Sequence, residues 1–308
     1  VDGILNIDKP AGKTSFDLVA LVKRLSGERR AGHAGTLDPV ATGVVPVCLG
    51  RATRIVEFLV EATKTYRAEI ELGIATDTYD AAGQIVERHS SALIGRDELT
   101  STLNSFCGPI QQVPPMYSAV KQQGRPLYKL ARAGITVPRR SRLVEVHRVE
   151  VVNWQPPVVT VDIVCGKGTY IRSIAHDLGQ ALGCGAYLKN LVRLRCGPFD
   201  IRDSLSVAQL EDAFHNGYWL YFLHPVDSVL LHWPAMVVGD QAGTEIRHGR
   251  PLALTNGACR TGNDSLGPPA EASPSAKRCR AYDLDGQFIG VLRFNVEREQ
   301  WQAEKVFV

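Results

Sequence analysis

Between Gly32 and Val45 the chain reads GHAGTLDPVATGVV, where three glycines and a proline bracket a single acidic residue, Asp38. Glycines let a backbone pass close to a ligand, and Pro39 fixes the direction in which the chain leaves. A lone carboxylate in such a place can attack an electrophilic carbon or accept a proton. Taken in isolation, an Asp-Pro is better explained as a turn in which the Asp caps a local backbone group. His33 and Asp38 have no suitably spaced third residue with which to hold a metal. The seven cysteines include no CxxC pair and the eight histidines no HExxH or HxH, which argues against a zinc ribbon, a disulfide framework and a metal centre. Gly12-Lys13-Thr14 mimics the end of a phosphate-binding loop, but Ile7 stands where that loop requires a glycine. A glycine turn followed by a threonine helix cap accounts for it better.

These groups need elements to position them. GILNID, Gly3–Asp8, reads as a strand, and after a turn at Lys9–Gly12 either Thr14 or Ser15 caps a helix with Leu18, Leu21, Val22 and Leu25 at helical spacing. The glycine-rich stretch leads into a strand at Val44–Leu49, then a short helix over Ala52–Val60. Thr65–Gly73 alternates with Tyr66, Ala68, Ile70 and Leu72 on one face, as a half-buried strand does. A polar loop at Ala75–Gly83, a helix at Asp97–Phe106 and a proline-rich turn at Pro109–Pro115 follow. Pro126 opens a helix that stops at Gly134. Strands at Leu143–Val152 and Val158–Cys165 lead to a helix from about Thr169 to Leu182 and a strand at Tyr187–Arg195. The order is not a regular βαβ alternation, so the expected class is α+β with a mixed, largely antiparallel sheet and flanking helices. After Pro225 the character changes. Short strands are expected within Val237–Gly249 and Phe288–Phe294, with Asp285-Gly286 as a hairpin turn and a flexible loop near 255–277. This divides the chain into residues 1–225 and a small β-rich domain at 226–308.

The 308 residues are 44% hydrophobic and 22% charged, ordinary for a soluble globular protein of about two domains. The net charge of +3 permits a nucleic-acid partner without demanding one. Basic clusters occur at Lys23, Arg24, Arg29 and Arg30, at Arg139, Arg140 and Arg142, and at Arg193 and Arg195. Each reads singly as solvated surface. No apolar run reaches membrane-spanning length and no signal peptide opens the sequence, so a cytoplasmic protein without a membrane partner is expected.

The GHAGTLDPVATG run resembles the catalytic signature of the TruB-type tRNA pseudouridine-55 synthase family, in which the aspartate of GHxGxLDPxATG is the essential carboxylate. Further matches follow in the same chain order: GILNIDKPAGKTS at the start, KTYRAEIELGIATDTYDAAG at Lys64–Gly83, VPPMYSAVK at Val113–Lys121, GKGTYIRSIAHDLG at Gly166–Gly179 and CGAYLKNLVRLRCG at Cys184–Gly197. The resemblance is close over about the first 200 residues and looser after Pro225, where family members carry a PUA-like RNA-binding domain. It implies a pseudouridine synthase fold, no cofactor and no metal. It also implies isomerisation of the T-arm uridine of tRNA, position 55, by a monomer: glycosidic cleavage, base rotation and rejoining through carbon, on a base flipped from its stack. By position, Asp38 is the catalytic residue and Arg172 its ionic partner. Tyr66 holds the uracil, Tyr170 and Leu191 complete an apolar wall, and His33 touches RNA. Lys9, Asp80 and Lys121 occupy further motif positions. Two other readings remain: an RNA-binding or tRNA-folding factor without essential catalysis, and a guide-RNA-dependent synthase subunit.

Overall fold

The computed structural model describes residues 1–91, 93–253, 259–260 and 278–307. The chain opens with β1 (Gly3–Lys9), α1 (Ser15–Ser26), β2 (Ala31–His33) and β3 (Thr42–Leu49). A 3-10 turn at Gly50–Ile55 precedes α2 (Val56–Glu61), β4 (Lys64–Leu72), β5 (Ile74–Thr76), β6 (Ile85–Arg88), α3 (Arg96–Asn104) and β7 (Gly108–Gln112). The two-residue strands β8 (Lys121–Gln122) and β9 (Arg125–Pro126) lead to α4 (Leu127–Arg132), β10 (Arg142–Gln155), β11 (Val158–Cys165), α5 (Ile171–Ala181) and β12 (Ala186–Cys196). Next come β13 (Phe199–Asp200), β14 (Leu205–Ser206), α6 (Val207–His215) and β15 (Leu223–His224). The last segment contains β16 (Ala235–Val238), α7 (Asp240–Arg247), β17 (Leu252–Ala253), β18 (Cys259–Arg260), β19 (Arg278–Tyr282), β20 (Phe288–Asn295) and β21 (Gln300–Val306).

The large sheet runs β14-β1-β3-β12-β4-β11-β10-β7. Only β14 with β1 and β3 with β12 pair in parallel; the other pairings are antiparallel. This is the mixed, largely antiparallel α+β sheet expected. Alternation along β1 and β3 sends Leu5, Ile7, Val45 and Val47 to one face, where they pack with Leu18 and Val22 of α1. Ile4, Val44 and Cys48 go to the other face, against Ile55, Phe58 and Leu59. Burying each such aliphatic side chain contributes about 1.5–3 kcal/mol. The second sheet runs β17-β21-β20-β19-β16-β18. It docks on that second face through Val291 and Phe307, joined by Val229, Leu230 and Trp233 from the connecting segment.

Several expectations need correction. The proline-rich turn at Pro109–Pro115 begins as strand β7, paired with β10. Pro109 is tolerated because β7 is the outermost strand of the sheet, where a missing N–H need not break a ladder. The loop at Ala75–Gly83 contains β5, which pairs with β6 in a two-stranded hairpin. Val237–Gly249 is strand only through Val238; Asp240–Arg247 is helix α7, burying Gly243 and Ile246 three residues apart. The helix α6, with its Ser206–Gln209 capping box, lies where no element was expected. The expected loop at 255–277 falls, apart from Cys259–Arg260, outside the described residues.

Candidate active site

Asp38 sits on the connection between β2 and β3, and the loop is braced from beneath. Helix α1 begins at a Thr14 capping box, so Gly12-Lys13-Thr14 is the turn and cap read from sequence. The turn also reaches the Asp38 loop: Gly12 N–H donates to the Pro39 carbonyl at 2.8 Å. Ser15 Oγ accepts from Leu37 N–H at 2.9 Å. The fully buried Lys9 ammonium donates to the carbonyls of Lys13 (2.7 Å), Pro10 (3.0 Å) and Pro39 (3.2 Å). Burial pushes the Lys9 amine down to about 8, with Asp38 opposing.

Arg193 is the second brace. It is fully buried, donating from Nε to the Val44 carbonyl at 2.6 Å and from Nη2 to the Gly35 carbonyl at 3.1 Å. It thus ties the chain on both sides of Asp38. Gly43 makes this approach possible: its φ is +105°, and a Cβ there would lie 2.3 Å from the Arg193 carbonyl oxygen. The surface position read for Arg193 from its basic cluster is therefore wrong; only Arg195 of that pair is exposed. Bulges between Leu188 and Asn190 and between Arg193 and Arg195 break the two-residue alternation of β12, so counting faces fails there.

Above the loop, Arg172 lies in the first turn of α5 and is only 5% exposed. Its Nε meets Asp38 Oδ2 at 2.9 Å and its Nη2 meets Oδ1 at 3.2 Å. Its Nη1 lies 3.5 Å from Asp80 Oδ2, and Nη2 also donates to the Tyr117 carbonyl at 2.9 Å. Asp80 is buried and its Oδ1 accepts from Thr78 Oγ1 at 2.6 Å and Ala82 N–H at 3.1 Å. Two carboxylates therefore share one guanidinium. Burial raises the Asp38 carboxyl above its ordinary value, Asp80 adds to that, and Arg172 opposes it. The Asp38 side chain keeps about a third of its surface open (35%), and the two-point Arg172 contact favours its ionised form. The net effect is a carboxyl whose pKa lies above the ordinary aspartate value, with Arg172 limiting the rise.

Asp38, Asp80 and Arg172 face Leu188, Asn190 and Leu191 across a narrow crevice, with Val40 and Ala41 beside Asp38. A larger depression between α3 and β10, lined by Arg96, Asp97, Asn104, Val149 and Glu150 among others, lies apart from Asp38. Tyr170 stands at the start of α5, where the buried Gln112 side chain accepts from its N–H (2.7 Å) and donates to its carbonyl (3.0 Å). Sequence reading missed Gln112 because the prolines around it masked strand β7. Tyr66 is half-buried on β4, directly paired with Arg193 of β12. Burial pushes its hydroxyl up to about 12, with Arg193 opposing. It does not line the crevice in this structure. His33, half-buried on β2, is held below its usual imidazole value by burial and by Arg193. Lys121 is exposed on the β8–β9 hairpin and is not brought to the Asp38 cluster.

Among the described residues no group of three or more His, Cys, Asp or Glu could hold a metal ion, and no helix is long and apolar enough to cross a membrane. The structure resembles that of the Cbf5-Nop10-Gar1 complex, with a TM-score of 0.75 at 28% identity over 99% of this chain and 85% of the other. It also resembles an H/ACA RNP bound to a substrate RNA containing 2′-deoxyuridine, with a TM-score of 0.74 at 26% identity over 99% and 85%. By sequence, the chain is 43% identical over 308 residues to the tRNA pseudouridine synthase B of Dehalococcoides mccartyi strain CBDB1, covering 100% of this chain and 97% of the other. Against the same-named protein of Pseudomonas aeruginosa strain UCBPP-PA14 the figures are 40% over 294 residues, 94% and 91%. Residues 23–171 match the TruB family pseudouridylate synthase N-terminal domain and residues 172–231 the tRNA pseudouridylate synthase B C-terminal domain, so the chain belongs to the TruB family of pseudouridylate synthases.

Proposed function

We propose that this chain isomerises a uridine of tRNA to pseudouridine, that the uridine is the T-arm residue at position 55, and that Asp38 is the reacting carboxylate. The observation that carries the chemical part is the convergence of Asp38, Arg172 and Asp80 at one crevice with an apolar wall. The reaction breaks the N1–C1′ bond, forms the C5–C1′ bond, removes the C5 proton and returns one to N1. Nothing is oxidised or reduced. Whether a carboxylate attacks carbon or takes a proton, it must be accessible, and Asp38 keeps about a third of its side chain open while Arg172 opposes the effect of burial.

In this reading Arg172 keeps Asp38 charged and aimed, and Asp80 fixes Arg172. Tyr66, Tyr170 and Leu191 receive the flipped uracil, with Tyr66 moving or being approached through the crevice as RNA binds. His33 contacts RNA, Lys9 holds the loop, and Lys121 meets the phosphate backbone. Residues 1–225 form the catalytic domain and 226–308 a PUA-like RNA-binding domain, in a cytoplasmic monomer. A stand-alone enzyme is favoured over a guide-dependent subunit because similarity to the bacterial tRNA pseudouridine synthases, at 40–43%, exceeds that to the Cbf5 and H/ACA RNP structures at 26–28%.

The test uses tRNA transcript tritiated at uracil C5. The purified chain is expected to release tritium stoichiometric with one site in the T-arm, and Asp38→Asn to reduce release by a factor of about 10³ or more. RNA binding without release from any tRNA would overturn the assignment.

A further inference from the structure

Beside the ion-paired crevice two rings lie face to face. The Tyr79 and His176 rings have centroids 3.9 Å apart and planes within 13°. Tyr79 immediately precedes Asp80. His176 is four residues after Arg172 on α5, which places both on one helix face. The ring pair therefore joins the two segments that carry the two ends of the Asp80–Arg172 ion pair.

The backbone around Tyr79 is under constraint. Its φ is +66°, a left-handed conformation that a glycine takes freely and a bulky residue takes at a cost. The turn is pinned by Tyr79 N–H to the Thr76 carbonyl (3.2 Å), Leu188 N–H to the Tyr79 carbonyl (2.9 Å) and Ala81 N–H to the Leu188 carbonyl (3.0 Å). Leu188 itself lines the crevice. The His176 Nδ1 atom is buried with no hydrogen-bond partner, so the ring contributes here through its face. Stacking of two flat rings adds a favourable contact at this strained turn.

We infer that Tyr79 and His176 form a stacked latch, a pair of positioning residues that fixes Asp80 against Arg172 and thereby sets the aim of Arg172 on Asp38. The inference rests on the reading of Asp38 as the reacting group. Neither ring is a catalytic residue. Each acts through the carboxylate or guanidinium next to it in the chain or on the helix.

The test compares His176→Ala, His176→Phe, Tyr79→Gly and Tyr79→Phe in the full chain, by single-turnover tritium release from tRNA. His176→Ala and Tyr79→Gly are expected to slow the chemical step roughly tenfold or more, because a small misplacement of a reacting group is costly, with tRNA affinity within about twofold. The two Phe variants keep a stackable ring and are expected to stay near the wild-type rate. Tyr79→Gly also removes the backbone strain, so a role in stability alone predicts no kinetic defect there. Unchanged rates in both ring-deleted variants, or equal losses in His176→Ala and His176→Phe, would overturn the latch. A second readout needs no activity: titration of the Asp38 carboxyl by carbon-13 NMR. Its midpoint is expected to move in His176→Ala and to hold in His176→Phe; no movement in either counts against the latch. Failure of the wild type to release tritium sinks the functional reading instead, and the titration still decides the latch.

Discussion

Arg172 at the crevice, buried, and Arg278 at the junction of the two sheets, partly exposed, are both held by carboxylates, but their surroundings differ in kind. Arg172 serves Asp38 and Asp80, from two separate loops, and the Tyr117 carbonyl. Two carboxylates share that one guanidinium, and the Asp38 side chain is left partly open. Arg278 makes a closed, two-point pair with Glu304 of its own sheet, 2.7 Å at each contact. Its guanidinium lies 5.5 Å from the ring centres of both Phe58 and Trp233, which themselves meet edge to face. Glu304 holds the Arg278 pKa above its ordinary value. A matched pair between aromatic faces joins two sheets. A guanidinium shared by two carboxylates leaves the carboxyl of Asp38 partly open and its pKa raised.

That contrast can be broken from either side. The largest effect is expected for Arg172→Met: tritium release falls roughly a thousandfold, and loss of the buried counter-charge to Asp80 costs about 3–5 kcal/mol of stability in urea titration. Arg172→Lys, which cannot span both carboxylates with a planar fork, falls between Met and wild type. Release by Arg172→Met within tenfold of wild type would remove the electrostatic argument. At the junction, Trp233→Ala is expected to lose about 3–5 kcal/mol through cavity formation while turnover per folded molecule on a T-arm stem-loop holds. Arg278→Met is milder, about 1 kcal/mol, since cation–π contact and a partly exposed pair each contribute little. If either junction variant lost turnover as Arg172→Met does, the division between the two regions would be wrong.

A separate effect, on stability alone, concerns Lys9, the cation under the loop. Its folded pKa of about 8 lies below the 10.5 of an unfolded lysine. Between those values the unfolded chain binds more protons, so stability rises as pH rises through the window. Stability measured from pH 8 to 10.5 should show that slope in the wild type, and Lys9→Met should lack it. An identical slope in both would place the titration elsewhere.

Local signals carried much of the fold into view. Thr14 caps α1 with Asp17 completing the box, and Leu18, Leu21 and Val22 mark its buried face. The alternation of β4 was plain, with Ala68, Ile70 and Leu72 inward. Other elements were hidden by competing local chemistry. Pro109 disguised an edge strand. Val237 and Val238 gave a strand signal that ran on into α7, and the turn residues around Asp77 concealed the β5–β6 hairpin. Arg193 was the most misleading residue. Its neighbour Arg195 is exposed, and two bulges turn Arg193 inward, where the carbonyls of Val44 and Gly35, far away in sequence, accept its hydrogen bonds.

Asp38, Arg172, Tyr66 and Leu191 are picked out only through the family resemblance, whose motifs are local strings; by itself Asp38 reads as a turn cap. The sequence determined which groups are present, where helices begin and which faces are apolar, since capping and periodicity act within a few residues. Only the tertiary structure decided the electrostatic surroundings of Asp38. It brought Asp80 to share Arg172 with Asp38, sank Lys9 and Arg193 beneath the loop, and left Tyr66 beside Arg193 outside the crevice. Electrostatics and desolvation depend on distances between segments far apart in the chain, and no local pattern encodes those distances.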